Sequence, residues 1–362
     1  MKRSLIFVGL LIWFVADASS DTPPSGNTNR IAFIVAGDPQ YLAEASASPQ
    51  KLDPYSEQAN SRAIDILNTF SGRAIAAEQG GGRVADEILG LVNTGDLIDS
   101  LDKTGGFYPA MQRFEWDRFK ADYGLTGRDG KIPYPVYEMH GNHDGPQGDT
   151  FIVNGIIERN KVRPGVVNRS DNGLHYSWDW GKLHCVSLGI FVGEGEERRK
   201  DYHYAPRASL EFLRQDLEDQ VGKSGRPVML FFHIHPNGPE YDWPPEDLAM
   251  FWQAIKPYNV VALFHGHTHA SPPSRMMWDG NQFGDRLENG LNVFNPDDIG
   301  AAKIDPQEPS KAVGLPHGFL YVELLDAEGT GQDRLVVRSY ATNDNWATHD
   351  WHSTWTIDIA VP

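Results

Sequence analysis

The sequence predicts an α/β fold, a four-layer sandwich of two mixed β-sheets flanked by helices, with a metal site at the carboxyl ends of the strands. Three observations carry this. Between residues 31 and 264, short β-branched apolar runs alternate with helical patterns, as in partly parallel sheets buried on both faces. Hairpin patterns at 176–188 and 318–341 break the alternation and supply antiparallel material for a second sheet. Finally, five apolar runs end in Asp, Asn, Gln or His, and in open α/β sheets ligands gather beyond the carboxyl ends of the strands.

The first residues read as a secretory signal. Lys2 and Arg3 precede the apolar stretch Leu5 to Val15, and Ala16-Asp17-Ala18 supplies a cleavage pattern. The stretch is too short to span a bilayer, and Asp17 ends it. Removal of residues 1–18 and a secreted or periplasmic destination are expected, an uncleaved anchor being the alternative. Residues 19–29 are polar, with Pro and Gly, and read as a flexible lead. A single domain is expected over residues 30–362.

The first strand, Ile31 to Ala36, runs into Gly37-Asp38-Pro39-Gln40. A helix follows over Ser56 to Phe70, with Ala59, Ala63, Ile64, Ile66 and Leu67 at helical spacing. The second strand, Leu89 to Thr94, ends in Gly95-Asp96. Ala110 to Leu125 then repeats the helical rhythm with Met111, Phe114, Trp116 and Phe119. The third strand, Tyr134 to Met139, leads into Gly141-Asn142-His143-Asp144. After the hairpin Tyr176–Trp180 and Leu183–Leu188, Ser209 reads as the N-cap of a helix reaching Leu217. The fourth strand, Val228 to Phe232, ends in His233, with His235 as a rival on the same expected face. Pro244-Pro245-Glu246-Asp247 opens a helix with proline in its first turn and acids against its dipole. The fifth strand, Val260 to Phe264, runs into Gly266-His267-Thr268-His269, and Thr354 to Ala360 adds a strand after the second hairpin. Connections at 145–174, 191–208 and 270–316 are long enough to be functional rim segments.

Composition narrows the partners. A formal charge of −17 over 362 residues repels polyanions, so nucleic acid is not a preferred partner. A phosphate site in such a chain draws its positive charge from bound metal. Cys185 is the single cysteine, so no disulfide forms within the chain, and its apolar surroundings make it a small buried hydrophobe. Arg198-Arg199-Lys200 reads as a solvated face, and Trp346, Trp351 and Trp355 read as core. Among the other histidines, His140, His175, His184 and His203 read as structural or rim residues, with His140 and His203 the nearer candidates to touch substrate.

Taken in order, Asp38-x-Gln40, Gly95-Asp96-x-x-Asp99, Gly141-Asn142-His143-Asp144, His233 and Gly266-His267-x-His269 resemble the calcineurin-like metallophosphoesterase family. The resemblance covers about residues 31–270. It implies two divalent metal ions and phosphate-ester hydrolysis by a metal-bridging hydroxide, without a covalent intermediate. Asp96 matches the bridging position; Asp38, Gln40 and His269 match one site, and Asn142, His233 and His267 the other. His143 matches the histidine that stabilises charge or protonates the leaving oxygen, and Asp144 is expected to orient its ring. Imidazole and oxygen ligands suit manganese, iron or zinc. The family has His where this chain has Gln40, a weaker neutral ligand that favours a harder ion, with magnesium possible there; alternatively, Gln40 only hydrogen-bonds a bound water. Asp99 stands where purple acid phosphatases carry a tyrosine, and is expected to brace the loop. A phosphomonoesterase acting on a phosphorylated small molecule or lipid is the first expectation. A phosphodiesterase for cyclic nucleotides or phospholipid head groups is the alternative, and a non-catalytic interaction protein is the alternative of another class.

Overall fold

In the computed structural model, residues 30–101, 103–236, 243–278, 290–301, 316–326 and 332–359 are described. The signal segment and lead expected over residues 1–29 lie outside them. The six-stranded sheet has the order β13-β12-β11-β1-β2-β3. Its strands are β1 (Arg30–Ala36), β2 (Leu91–Asn93), β3 (Val136–Glu138), β11 (His317–Leu325), β12 (Asp333–Thr342) and β13 (Asp350–Ile359). The seven-stranded sheet runs β4-β5-β6-β7-β8-β10-β9. It holds β4 (Val166–Arg169), β5 (Tyr176–Trp180), β6 (Leu183–Ser187), β7 (Val228–Phe231), β8 (Val260–Phe264), β9 (Ser274–Trp278) and β10 (Leu291–Asn295). Both sheets are mixed: β1, β2 and β3 run parallel, as do β6, β7, β8 and β10, and the outer strands are antiparallel.

Strand alternation explains why these runs are apolar throughout. Ile31, Phe33 and Val35 of β1 point into the core between the sheets, while Ala32, Ile34 and Ala36 face the helices. The middle core also takes Trp178 and Trp180 of β5, Phe231 of β7, Phe264 of β8 and Leu320 and Val322 of β11. On the outside of the six-stranded sheet pack α1 (Pro54–Asn68), α2 (Tyr108–Tyr123) and α3 (Phe151–Asn160). On the outside of the other lie α4 (Ser209–Asp216) and α5 (Pro245–Ile255). The four-layer sandwich is therefore present as the sequence predicts.

The division of strands between the sheets differs from the sequence expectation. The five metal-tipped runs do not share one sheet: three enter the six-stranded sheet and two the seven-stranded one. Each hairpin then completes a different sheet, because register with β1 or with β7 decides which edge it extends. Two of the long connections carry structure of their own. Residues 145–174 contain α3 and β4, and residues 270–316 contribute β9 and the buried strand β10. Ser209 is the first helical residue rather than the N-cap, a place taken by Ala208. The Ser209 hydroxyl instead donates to the Phe191 carbonyl at 3.0 Å and accepts from Gly193 N–H at 3.0 Å. Cys185, Trp346 and Trp351 are buried, as expected, and Trp355 packs against the middle core.

Candidate metal centre

The site forms where the parallel strands of both sheets end. Beyond β1 and β2 the chains continue side by side, with Asp38 N–H donating to Gly95 O at 3.1 Å and Gln40 N–H to Asp96 O at 3.0 Å. From the other sheet, Gly266 N–H donates to His233 O at 2.9 Å. Side chains join the two sheets at the centre as well: His233 Nδ1 donates to the Thr94 carbonyl at 2.8 Å.

Five proposed ligands, Asp38, Gln40, Asp96, His267 and His269, have left-handed backbone, with φ between 35° and 68°. Non-glycine residues adopt this conformation at a cost of about 1–3 kcal/mol each, and such strain clusters at functional sites. Glycines allow the close approach. A Cβ on Gly141 would lie 2.5 Å from Asp96 N, and one on Gly266 would meet the Asp38 carboxylate.

Two groups of potential ligand atoms result, each with its atoms within 4.8 Å of one another: Asp96, His233 and His267, and Asp38, Asp96 and His269. Asp96 belongs to both. Asn142 Oδ1 lies 2.9 Å from His233 Nε2 and 2.9 Å from His267 Nδ1. With the His233 Nδ1 proton given to Thr94, Nε2 has a lone pair for a metal. His269 Nε2 sits 3.2 Å from Asp38 Oδ1. Gln40 is buried and tied in through its backbone, and its amide makes no hydrogen bond among the described residues.

The donor set fits divalent metal. Burial opposes a charge on His233, yet the Asp96 carboxylate pushes its pKa up to about 9, and Asp38 does the same for His269. Burial alone would raise Asp96, but His233 and His143 hold it well below the usual carboxylate range. Burial raises Asp38. Burial and the charge of His233 lower His267 to about 3. Two imidazoliums thus stand, without metal, where cations between carboxylates are wanted.

His143 is half-buried beside this group, its backbone N–H donating to Asp96 Oδ1 at 2.8 Å. The orienting role expected of Asp144 falls elsewhere. Both Asp144 oxygens accept backbone N–H groups, from Leu97, Ile98 and Gly141, and His143 Nδ1 bonds the Asp99 carbonyl at 2.7 Å. Asp144 shapes the Asp96 loop because its carboxylate lies under those amides. Burial and the Asp96 charge push its pKa up to about 7. Asp99 braces the loop, as expected, its carboxylate pairing with Lys103 at 2.6 Å.

Of the two rival histidines, His233 enters the centre and His235 packs against His265, the rings tilted and their centroids 4.8 Å apart. The chain leaves β7 at Phe231, so strand alternation does not carry on to 235. His140 is buried, and neither of its ring nitrogens has a hydrogen-bond partner among the described residues. His203 lies on the exposed surface. His175 is buried, and His184 is held between Asp179 and Asp216 at 2.8 Å each. Arg199 pairs with Glu246 and Asp247.

Sequence reasoning missed Asp298 and His317. His269 Nδ1 lies 3.3 Å from Asp298 Oδ2, Asp298 Oδ1 bonds His317 Nδ1, and His317 Nε2 is 2.9 Å from the Tyr55 hydroxyl. A weaker signal was present: Leu291, Val293 and Phe294, interrupted by Asn292, make a sixth short run, and it ends in Asn295-Pro296-Asp297-Asp298.

The sequence profile of the calcineurin-like phosphoesterases matches residues 31–271. No curated protein matches the chain in sequence. Among solved structures, PhoD aligns at 12% identity over 92% of this chain and 73% of PhoD, with a TM-score of 0.46. A novel phosphatase of Mycoplasma pneumoniae aligns at 13% identity over 91% of this chain and 94% of its own, with a TM-score of 0.34.

Proposed function

Because the chain belongs to the calcineurin-like phosphoesterase family and is a hydrolase acting on phosphate esters, we propose that it is a dinuclear phosphomonoesterase. The observation that carries this reading is that Asp96 belongs to both candidate ligand groups. A carboxylate has two oxygens and can serve two cations a few ångströms apart. In this reading Asp38, Gln40 and His269 complete one site, and Asn142, His233 and His267 the other. Two bound divalent ions supply Lewis acidity toward the phosphoryl oxygens and activate a water at neutral pH.

The protein's own residues do the rest. Asp38 and Asp96 fix the charge of the centre, and the Thr94 carbonyl fixes the tautomer of His233. His143 donates its Nδ1–H to the Asp99 carbonyl, which fixes the ring with Nε2 as its other nitrogen. As the imidazolium, protonated on both nitrogens, it delivers the Nε2 proton to the leaving oxygen and remains neutral with its proton on Nδ1. Two carboxylates against two divalent ions leave two positive charges, and the activated hydroxide leaves one, so the centre attracts the anion of a phosphate ester. Manganese, iron or zinc suits these ligands, with magnesium at the Gln40 site as the harder alternative. The reading includes export, which rests on the Lys2 to Ala18 pattern. No helix among the described residues is long and apolar enough to cross a membrane.

The test is turnover of p-nitrophenyl phosphate against bis-p-nitrophenyl phosphate with manganese, iron, zinc and magnesium. A higher kcat/KM on the monoester is expected. Preference for the diester would transfer the assignment to a phosphodiesterase, and no turnover with any metal would sink the catalytic reading.

A further inference from the structure

His233 and His269 face the same centre but are backed differently. Behind His233 stands a neutral carbonyl, that of Thr94. Behind His269 stands the carboxylate of Asp298, whose Oδ2 is buried, accepts no other hydrogen bond among the described residues, and lies 3.3 Å from His269 Nδ1. The two atoms are within reach of a hydrogen bond but not aligned as one, and Asp298 Oδ2 is the buried acceptor left beside Nδ1.

Asp298 is held by its own environment. Its backbone N–H donates to Asp297 Oδ1 at 2.9 Å and its carbonyl accepts from Gly318 N–H at 2.9 Å. Its Oδ1 accepts from Ala301 N–H at 3.1 Å and from His317 Nδ1, and the far side of the His317 ring meets the Tyr55 hydroxyl. Asp298 and His317 are both buried. One carboxylate oxygen is thereby saturated and the other is left for His269.

We propose that Asp298 is the positioning residue of the Asp38–His269 metal site: it accepts a hydrogen bond from Nδ1–H of His269 and so leaves Nε2, on the Asp38 side, as the nitrogen that gives up its proton to a metal. The inference rests on the dinuclear reading above. A carboxylate behind a ligating histidine fixes its tautomer and strengthens it as a donor, and removing such a partner typically costs about 10–100-fold in metal affinity.

Asp298→Asn has a directed consequence. Ala301 N–H fixes the amide oxygen on the Oδ1 side, so the amide NH2 faces His269. It then donates to Nδ1 and favours the tautomer with its proton on Nε2, the nitrogen that must hold metal; amide replacement of a histidine-orienting carboxylate acts this way in serine proteases.

The experiment uses the full chain loaded with zinc. In wild type, 15N-histidine spectra, with the His269 ring assigned by its loss in His269→Gln, should show a slowly exchanging proton on Nδ1 and zinc on Nε2. Chelator competition should show Asp298→Asn weakening one of two zinc ions about 10–100-fold, the other unchanged. Two zinc ions held equally by wild type and a folded Asp298→Asn protein would overturn the inference and leave the dinuclear reading intact. A His269 ring in wild type that carries its proton on Nε2 would overturn it without any variant. A wild-type chain that holds no zinc sinks the dinuclear reading and the inference with it.

Discussion

At the scale of single residues, the centre consists of histidines whose two ring nitrogens have different tasks. His233 and His269 have pKa values pushed up to about 9, because Asp96 and Asp38 outweigh the opposing burial. Both are protonated at pH 7, and a metal needs them neutral. Metal loading at pH 7 should therefore release protons, and apparent affinity should rise with pH until about 9 and then level. Calorimetry in buffers of different ionisation enthalpy measures this; proton release near zero at pH 7 would contradict the assignment. In metal-free protein the same two groups stabilise the fold fully below about pH 6.5, and this contribution fades as pH rises through about 9. His143 separates from the ligands. His143→Ala should lower turnover by roughly 10²–10⁴-fold with two metals still bound, whereas His267→Ala should lose metal as well. Elemental analysis decides it: metal loss in the His143 variant would move that residue among the ligands. Gln40→His replaces an amide oxygen with an imidazole that holds borderline metals better. Slower inactivation by chelator is expected, and unchanged resistance would place the side chain away from the metal.

At the scale of elements, each proposed ligand sits on a turn that follows a buried strand. The strand ends are rigid because their side chains alternate between two cores, and the turn then bends sharply through left-handed residues and glycines. Gly141 shows how tight this is. Its Cα faces the Asp96 backbone, and an alanine Cβ would stand 2.5 Å from Asp96 N and 2.8 Å from Asp96 Cγ. Gly141→Ala should cost about 1–3 kcal/mol of stability, the usual range for overpacking, and should also reduce metal content by displacing the shared carboxylate. Urea unfolding with elemental analysis checks both; a variant with wild-type stability and two metals would mean that the β3 turn moves freely. The turn after β3 is further fixed by Glu138, buried and paired with Arg163 and Arg159 at 2.6 Å each. These two cations hold its carboxyl down to about 2 against the effect of burial.

At the scale of the whole molecule, the centre exists only while the two sheets keep their relative position. Asp38, Asp96 and Asn142 come from one sheet, and His233, His267 and His269 from the other. The middle core sets that position. Phe33 packs its ring 4.8 Å from Trp180 and 6.4 Å from both Phe231 and Phe264, so one residue of the first sheet contacts three strands of the second. Phe33→Ala should cost about 3–5 kcal/mol, as large-to-small core changes of an aromatic do. It should also weaken metal binding, though it lies outside the site. Denaturant unfolding paired with zinc titration reads both, and a loss of stability with unchanged zinc affinity would show that the rim is held independently of the core.

The sequence by itself determined the strands, the residues at their tips and the chemistry those residues support. Apolar runs with a period of two are local facts, and so are the Gly-Asp, Asn-His-Asp and His-x-His turns that close them. It also carried Asp298, as the end of a sixth run, but nothing local distinguished that acid from an ordinary Asn-Pro-Asp turn. The tertiary structure decided which runs share a sheet, because pairing of β11 with β1 and of β6 with β7 depends on partners nearly 300 and about 40 residues away. It decided that Asp144 serves the Asp96 loop while Asp99 braces His143, since both are contacts between separate turns. It decided between His233 and His235, because the strand ends before either residue. It also brought Asp298 and His317 behind His269, through segments that meet only once the sheets are stacked. Ligand identity is local chemistry, whereas the partner behind each ligand is set by packing across the chain.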